Sequence, residues 1–229
     1  MDQPSPQPAA DYATARSNMV DGQVRPNKVI DPRIIRAMRS IPRDRFVPPH
    51  LVSLAHADED VPLGDGRALM EPMVIARLVQ LARVREGDRV LVVGAGTGYG
   101  AALMAACGGQ VMALEEDEAL LAIARRALPG VAMGIRIVVG PLAAGLAAGA
   151  PWDVILIEGA VRTIPPAIAV QLNPDGGRLV TVLAQGNGAS GGQGVLAEPV
   201  ANAGLRSLPA FDCSTPLLRP LLPAPAFQF

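Results

Sequence analysis

Apolar positions follow two different rhythms along this chain. Up to about residue 85 they recur at helical spacing. Tyr12, Ala15 and Met19 share one side of a stretch over 11–21. Asp31 followed by Pro32 reads as an N-cap and a first helical residue, and Ile34, Ile35 and Met38 line one side of the helix they open. Pro42 stops it. Residues 43–60 are loop-rich and end in the acidic run Asp58-Glu59-Asp60, read as a solvated face. Glu71-Pro72 starts a third helix, whose Val74, Leu78, Leu81 and Ala82 form an apolar stripe. No convincing strand shows before residue 85. The expectation is a disordered Pro/Gln/Ser tail over 1–10, then a helical segment over 11–85 that covers whatever the rest builds.

From residue 86 the pattern becomes alternation. Short apolar runs at 90–93, 111–114, 135–139, 153–157 and 178–183 read as strands. Helical stretches separate them at 101–107, from Asp117 through 128, weakly at 142–148, and at 164–172. Runs without polar alternation are those of a parallel sheet covered on both faces. The fold class predicted is α/β, a doubly wound Rossmann-like sheet over 86–185 with ligand at the strand C-termini. A Gly/Ser/Asn-rich flexible hairpin loop over 186–194 leads to two further strands, 195–200 and 205–211. Residues 186–229 thus form a C-terminal β extension of the same domain, and the tail from Pro216 is too Pro-rich to be regular.

Chemistry concentrates in one stretch. Strand 90–93 runs into Gly94, Gly96, Gly98 and Gly100, then a helix, then a second strand ending at Glu115. Glycines let the backbone turn with φ > 0 and approach a ligand closely. The helix N-terminus offers free N–H groups to an anion. The acid can accept from both ribose hydroxyls of a nucleoside. The dinucleotide spacing G-x-G-x-x-G fails at Tyr99, and a P-loop is excluded because no Gly-Lys-Ser/Thr follows. G-x-G-x-G is the spacing of an S-adenosylmethionine (SAM) turn. That makes SAM the expected cofactor.

Composition trims the alternatives. Half of the 229 residues are apolar, enough for a sizeable core, and only 3% are aromatic. A net charge of -1 argues against a nucleic-acid partner. Cys107 and Cys213 are too few for a disulfide scaffold, and His50 and His56 lack metal-pair spacing, so no metal is expected. Cys107 reads as core. The polar N-terminus has no signal-peptide h-region and no apolar run reaches membrane-spanning length, so the expected place is the cytoplasm.

Six blocks in order resemble the protein-L-isoaspartate O-methyltransferase family. They are Met19-Val20-Asp21-x-Gln23-Val24-Arg25; Ile41-Pro42-Arg43-Asp44-x-Phe46-Val47-Pro48; Pro62-Leu63-Gly64-x-Gly66 with Pro72; Val93-Gly94-x-Gly96-Thr97-Gly98-Tyr99; Pro151-x-Asp153-x-Ile155 with Ile164-Pro165; and Gln171-Leu172 with Gly176-Gly177-Arg178-Leu179-Val180. The resemblance implies a SAM-dependent enzyme that esterifies the α-carboxylate of L-isoaspartyl residues in damaged proteins or peptides. It implies cofactor contacts at Gly94, Ala95, Gly96, Thr97, Gly98, Glu115, Glu116 and Leu142. It implies substrate-loop positions at Arg67, Met70 and Glu71. A carboxylate is already a nucleophile at neutral pH, so such catalysis is positioning and water exclusion.

The sequence departs from the family in the substrate loop. Ala68 and Met70 stand where the family has threonine and serine. Glu71 replaces an amide, an acid that would repel a carboxylate substrate unless Arg67 neutralises it. Gly140-Pro141-Leu142 replaces a glycine-aspartate-glycine turn, Glu158 is an unusual acid after the fourth core strand, and His56 stands where an aromatic is common. Three functions stay open: isoaspartyl methylation, methylation of another acceptor, and a catalytically silent binding role.

Overall fold

Strand β3 (Arg89–Val93) sets the architecture. From Val90 on it is fully buried, and its side chains alternate between two cores. Val90 and Val92 join the larger cluster with Met38, Phe46, Val74 and Leu103; Leu91 and Val93 join a smaller one with Trp152, Ile168 and Leu172. Both sheet faces are therefore covered, which is why this run lacks polar positions. The computed structural model describes residues 11–185, 191–201 and 204–222. The expected tail over 1–10 lies outside them.

The main sheet has seven strands in the order β5 (Ile135–Val139), β4 (Gln110–Glu115), β3, β6 (Val154–Val161), β7 (Arg178–Ala184), β8 (Gly192–Val200) and β9 (Gly204–Cys213). Strands β3, β4, β5, β6 and β7 are mutually parallel. β8 and β9 add to β7 as an antiparallel meander. The expected loop over 186–194 is thus partly strand, because β8 begins at Gly192; residues 186–190 lie outside the described ones. Helix α4 (Tyr99–Ala106) crosses from β3 to β4, and α5 (Glu118–Ala127), capped by the Asp117 carboxylate, follows β4. The chain then switches to the other side of β3 to lay down β6, so the edge between β3 and β6 is the switch point where such folds bind ligands.

Before the sheet come α1 (Tyr12–Met19), capped by the Asp11 carboxylate, and α2 (Pro32–Ser40) and α3 (Pro72–Ala82), which start where Asp31 and Pro72 predict. α1 runs on as a π turn over Val20–Val24. The strand-free expectation fails here. β1 (Val61–Gly64) and β2 (Arg67–Leu69) form an antiparallel hairpin with Val61 opposite Leu69. Its two-residue turn places both Asp65 and Gly66 at positive φ, the conformation an Asp-Gly pair favours. Strands this short, one holding Pro62, leave no periodicity to read.

Two helices come out shorter than expected. Residues 142–148 contain only the 3-10 turns Leu142–Ala144 and Ala147–Gly149, and α6 spans only Pro166–Ala169. β6 runs four residues past its expected end, through a register irregularity between Leu156 and Ala160 against β7. The tail is also more regular than its prolines suggest. Leu217 bridges Ala160 in parallel fashion, the Ala160 N–H donates to the Pro216 carbonyl (3.0 Å), and Leu218 N–H donates back to Ala160 (2.8 Å). A 3-10 turn, Arg219–Leu221, follows. Prolines 216 and 220 leave the bonding N–H groups on their neighbours, so the strap holds.

Candidate active site

At the switch point the chain leaves β3 through Gly94, turns back on β4 and enters α4. Gly94, Gly96 and Gly98 have φ of 72°, 57° and 95°. The N–H groups of Gly94 and Ala95 both donate to the Leu114 carbonyl, which ties the turn to the end of β4. Gly98 caps α4 through its backbone, with no side chain over the helix N-terminus. Thr97 is buried, and among the described residues its hydroxyl has no hydrogen-bond partner.

Glu115 ends β4 beside this turn, 1% exposed. Its Oε2 accepts from Gly96 N–H (2.7 Å); its Oε1 accepts from Glu116 N–H (2.9 Å) and Asp117 N–H (3.0 Å). Both oxygens also take the Arg67 guanidinium, Nη1 to Oε1 at 2.9 Å and Nη2 to Oε2 at 2.7 Å. Burial works to raise the Glu115 pKa, but the Arg67 fork and the backbone donors outweigh it and hold the carboxyl below its ordinary value. Arg67 Nη2 reaches the Gly94 carbonyl as well (3.0 Å). So Arg67 does not neutralise Glu71. Residue alternation along β2 turns its side chain inward, and the hairpin lays it across the turn to Glu115.

Glu71 is half-buried, and its carboxyl is pushed up by burial, with Asp58 and Asp60 adding to the shift. Its N–H donates to the Asp60 carboxylate at 2.7 Å. Asp60 is also half-buried and accepts from Thr215, so the acidic run is not simply a solvated face. Met70 is 1% exposed, and its carbonyl takes a hydrogen bond from Arg43 (2.6 Å). Arg43 is fully buried, donates to Ala55 O at 2.6 Å, and stacks 4.7 Å over the Tyr99 ring. It locks the hairpin to the start of α4. The Pro-Arg-Asp-x-Phe block contains it, but no sequence signal gave it this part.

The strap supplies what the sequence did not show. A Cβ on Gly94 would lie 2.8 Å from the Leu218 side chain and 3.5 Å from Arg67 Nη2. Leu218, 1% exposed, packs also against Gly159. Glu158 is 7% exposed, its carboxyl packs on Gly100 in the first turn of α4, and among the described residues its Oε2 has no hydrogen-bond partner. Burial pushes it up to about 8, against the pull of Arg67. Between Arg67, Ala68, Met70, Glu158, Thr215 and Leu218 remains a cavity of about 10 Å³, the size of a single water.

Other expected positions sit to the side. Glu116 is exposed, and its carboxylate accepts from Leu142 N–H (2.9 Å), while the Leu142 side chain fills the smaller core. Asp21 pairs with Arg25 and Arg39 at the surface, and Gln23 donates to the His56 carbonyl (3.0 Å). His56 stacks on Tyr12, and burial lowers its pKa. Cys107 is buried in the larger core, its thiol pushed to about 11 by burial.

A nucleotide-type turn on β3, an acid ending β4 and a hairpin closing over both match a known pattern. The model of the family "Protein-L-isoaspartate(D-aspartate) O-methyltransferase (PCMT)" matches residues 14–190. This chain belongs to that family. The protein-L-isoaspartate O-methyltransferase of Methylorubrum extorquens is 38% identical over 190 residues, 83% of this chain and 81% of that one. Among solved structures, a protein-L-isoaspartate O-methyltransferase superposes with TM-score 0.73 at 22% identity, covering 90% of this chain and 65% of that one. A putative one from Plasmodium falciparum, in complex with S-adenosyl-L-homocysteine, gives 0.70 at 16% identity and covers 89% of this chain and 97% of that one. These superpositions establish that the doubly wound sheet is the family's fold.

Proposed function

We propose that this chain is a SAM-dependent methyltransferase that esterifies the carboxylate of L-isoaspartyl residues in proteins or peptides. The observation behind it is the glycine turn from β3 to α4 facing the Glu115 carboxylate, within a chain of this family. The donor set fits the cofactor. Gly94, Ala95, Gly96, Thr97 and Gly98 would hold it by backbone and hydroxyl, and Glu115 would take its ribose diol. Glu116 and Leu142, joined by their hydrogen bond, would flank the base. The space fits only once Arg67 and Leu218 give way, since both lie over Gly94. When bound, SAM supplies an activated methyl group on sulfonium.

The chain's own residues then bind, orient and keep out water. The β1-β2 hairpin brings Arg67, Met70 and Glu71 to the acceptor side, and the strap over 215–221 roofs it. No general base is required, because the acceptor is already ionised. Met70 and Leu218 line the small cavity at the hairpin and would keep water from the reacting groups. A net charge of -1 gives no reason for a nucleic-acid partner, and no helix among the described residues is long and apolar enough to cross a membrane.

The test is transfer of labelled methyl from SAM to a synthetic L-isoaspartyl peptide, with the aspartyl peptide as control. A base-labile methyl ester on the isoaspartyl peptide alone is expected. Transfer to neither peptide, with S-adenosylhomocysteine still bound in calorimetry, would assign the chain another acceptor; no binding at all would leave a silent role. The self-filled cradle is the specific observation on that second side.

A further inference from the structure

We propose that Arg67 is the acceptor-binding residue of this enzyme, held on Glu115 until the cofactor's ribose displaces it and then free to take the acceptor carboxylate. The inference rests on the methyltransferase reading above and adds to it an acceptor ligand and an order of binding.

The accounting of Glu115 is the starting point. Its two oxygens already accept five hydrogen bonds: two from Arg67 and one each from Gly96, Glu116 and Asp117. The three backbone donors belong to the turn and the end of β4. The Arg67 fork alone can leave without unfolding the sheet. A ribose diol that binds Glu115 must therefore replace it. Leu218 must move in the same event, because it and Arg67 cover the same glycine.

A guanidinium freed in this way is still in a buried place, where an unpaired charge is costly. Of the acids that act on it besides Glu115, Asp117 is committed to capping α5 through the Ala119 and Leu120 N–H groups, and burial holds the Glu158 carboxyl up to about 8, so near neutral pH it carries a proton. The Gly94 carbonyl keeps one Nη2 bond and no charge. What is missing is an anion: the cavity beside Arg67 is lined by Ala68 and Met70, which bring no hydroxyl or charge, by Glu158, which keeps its proton, and by Thr215, whose hydroxyl is taken by Asp60. A carboxylate offered by a peptide supplies it, and the planar fork that matched Glu115 matches a second carboxylate equally well. The same strap, Thr215 to Leu218, roofs cradle and cavity, so cofactor entry opens both. Cofactor first, acceptor second is the resulting order.

Calorimetry with S-adenosylhomocysteine and steady-state kinetics with an L-isoaspartyl peptide test this on three full-length proteins: wild type, Arg67→Gln and Leu218→Ala. Both variants lift a competitor from the cradle, so both should bind S-adenosylhomocysteine roughly tenfold tighter than wild type, as a closed state stops taxing the affinity. Arg67→Gln should raise the peptide KM by about tenfold or more beyond any change seen in Leu218→Ala, the loss of one paired charge-assisted contact. Wild-type affinity in both variants overturns the closure. A peptide KM unchanged in Arg67→Gln, or raised equally in Leu218→Ala, overturns the acceptor role and gives the freed guanidinium to Glu158. No binding of S-adenosylhomocysteine by any of the three fails the methyltransferase reading itself, a different outcome from either. Should Arg67→Gln not fold, Arg67→Lys keeps the charge, loses the fork and should shift both quantities the same way by less.

Discussion

Glu158→Gln should make this protein more stable, and more so as pH rises. Glu158 is 7% exposed, its carboxyl packs on Gly100, and Oε2 has no partner among the described residues. Burial raises it from 4.5 to about 8, with Arg67 and Arg43 pulling the other way and Glu115 pushing with it. A carboxyl that holds its proton more tightly when folded contributes its full stability below the unfolded value. That contribution fades as pH climbs toward the folded value and is gone above it. Each pH unit inside the window costs about 1.4 kcal/mol. From 4.5 to pH 7 the wild-type carboxyl therefore costs about 3 kcal/mol, and above pH 8 about 5. Glutamine has the same shape and no proton to hold, and its carbonyl can still face Gly100. Urea unfolding of both proteins at pH 4, 7 and 9 checks this. The gain should be near zero at pH 4, about 3 kcal/mol at pH 7 and larger at pH 9. A difference that stays constant across the three would refute the reasoning, since Glu158 would then be ionised in the fold throughout and paired with Arg43 or Arg67.

Three further outcomes follow from the same contacts. Glu115→Ala should lose about 3–5 kcal/mol in urea unfolding, because it strands a buried Arg67, and should weaken S-adenosylhomocysteine binding about tenfold or more; unchanged affinity would remove Glu115 from the ribose. Arg43→Met should lose about 3 kcal/mol or more, since the carbonyls of Ala55 and Met70 both lose a charged donor; a loss under about 1 kcal/mol in the same assay would mean the hairpin does not depend on it. Restoring the family's hydroxyls with Ala68→Thr and Met70→Ser should raise turnover on an isoaspartyl peptide while costing about 2–4 kcal/mol, because Met70 is 1% exposed and serine leaves a cavity. Lower turnover with the fold intact would show that Met70 itself shapes the acceptor side.

By itself the sequence determined what local spacing can determine. Continuous apolar runs meant a sheet covered twice, and β3 divides its side chains between two cores as that pattern requires. The caps at Asp31 and Asp117 and the start at Pro72 marked three helices, since each needs only its own neighbours. The glycine turn followed by an acid 21 positions after Gly94 was legible for the same reason. What tertiary structure decided were the contacts between distant segments. Arg67 and Glu115 are 48 residues apart, and nothing along the chain says that an inward-facing hairpin position meets the end of β4. Arg67 meets Glu115 and not its sequence neighbour Glu71, because strand alternation and the hairpin turn set direction where nearness in sequence does not. Leu218 looked like part of an irregular tail, yet backbone bonds at Ala160 seat it on Gly94, since hydrogen bonding to a strand edge asks only for free N–H groups and carbonyls. Glu158 read as an odd acid in the sequence; burial against α4, a property of the packed sheet alone, turns it into a carboxyl that keeps its proton near neutral pH.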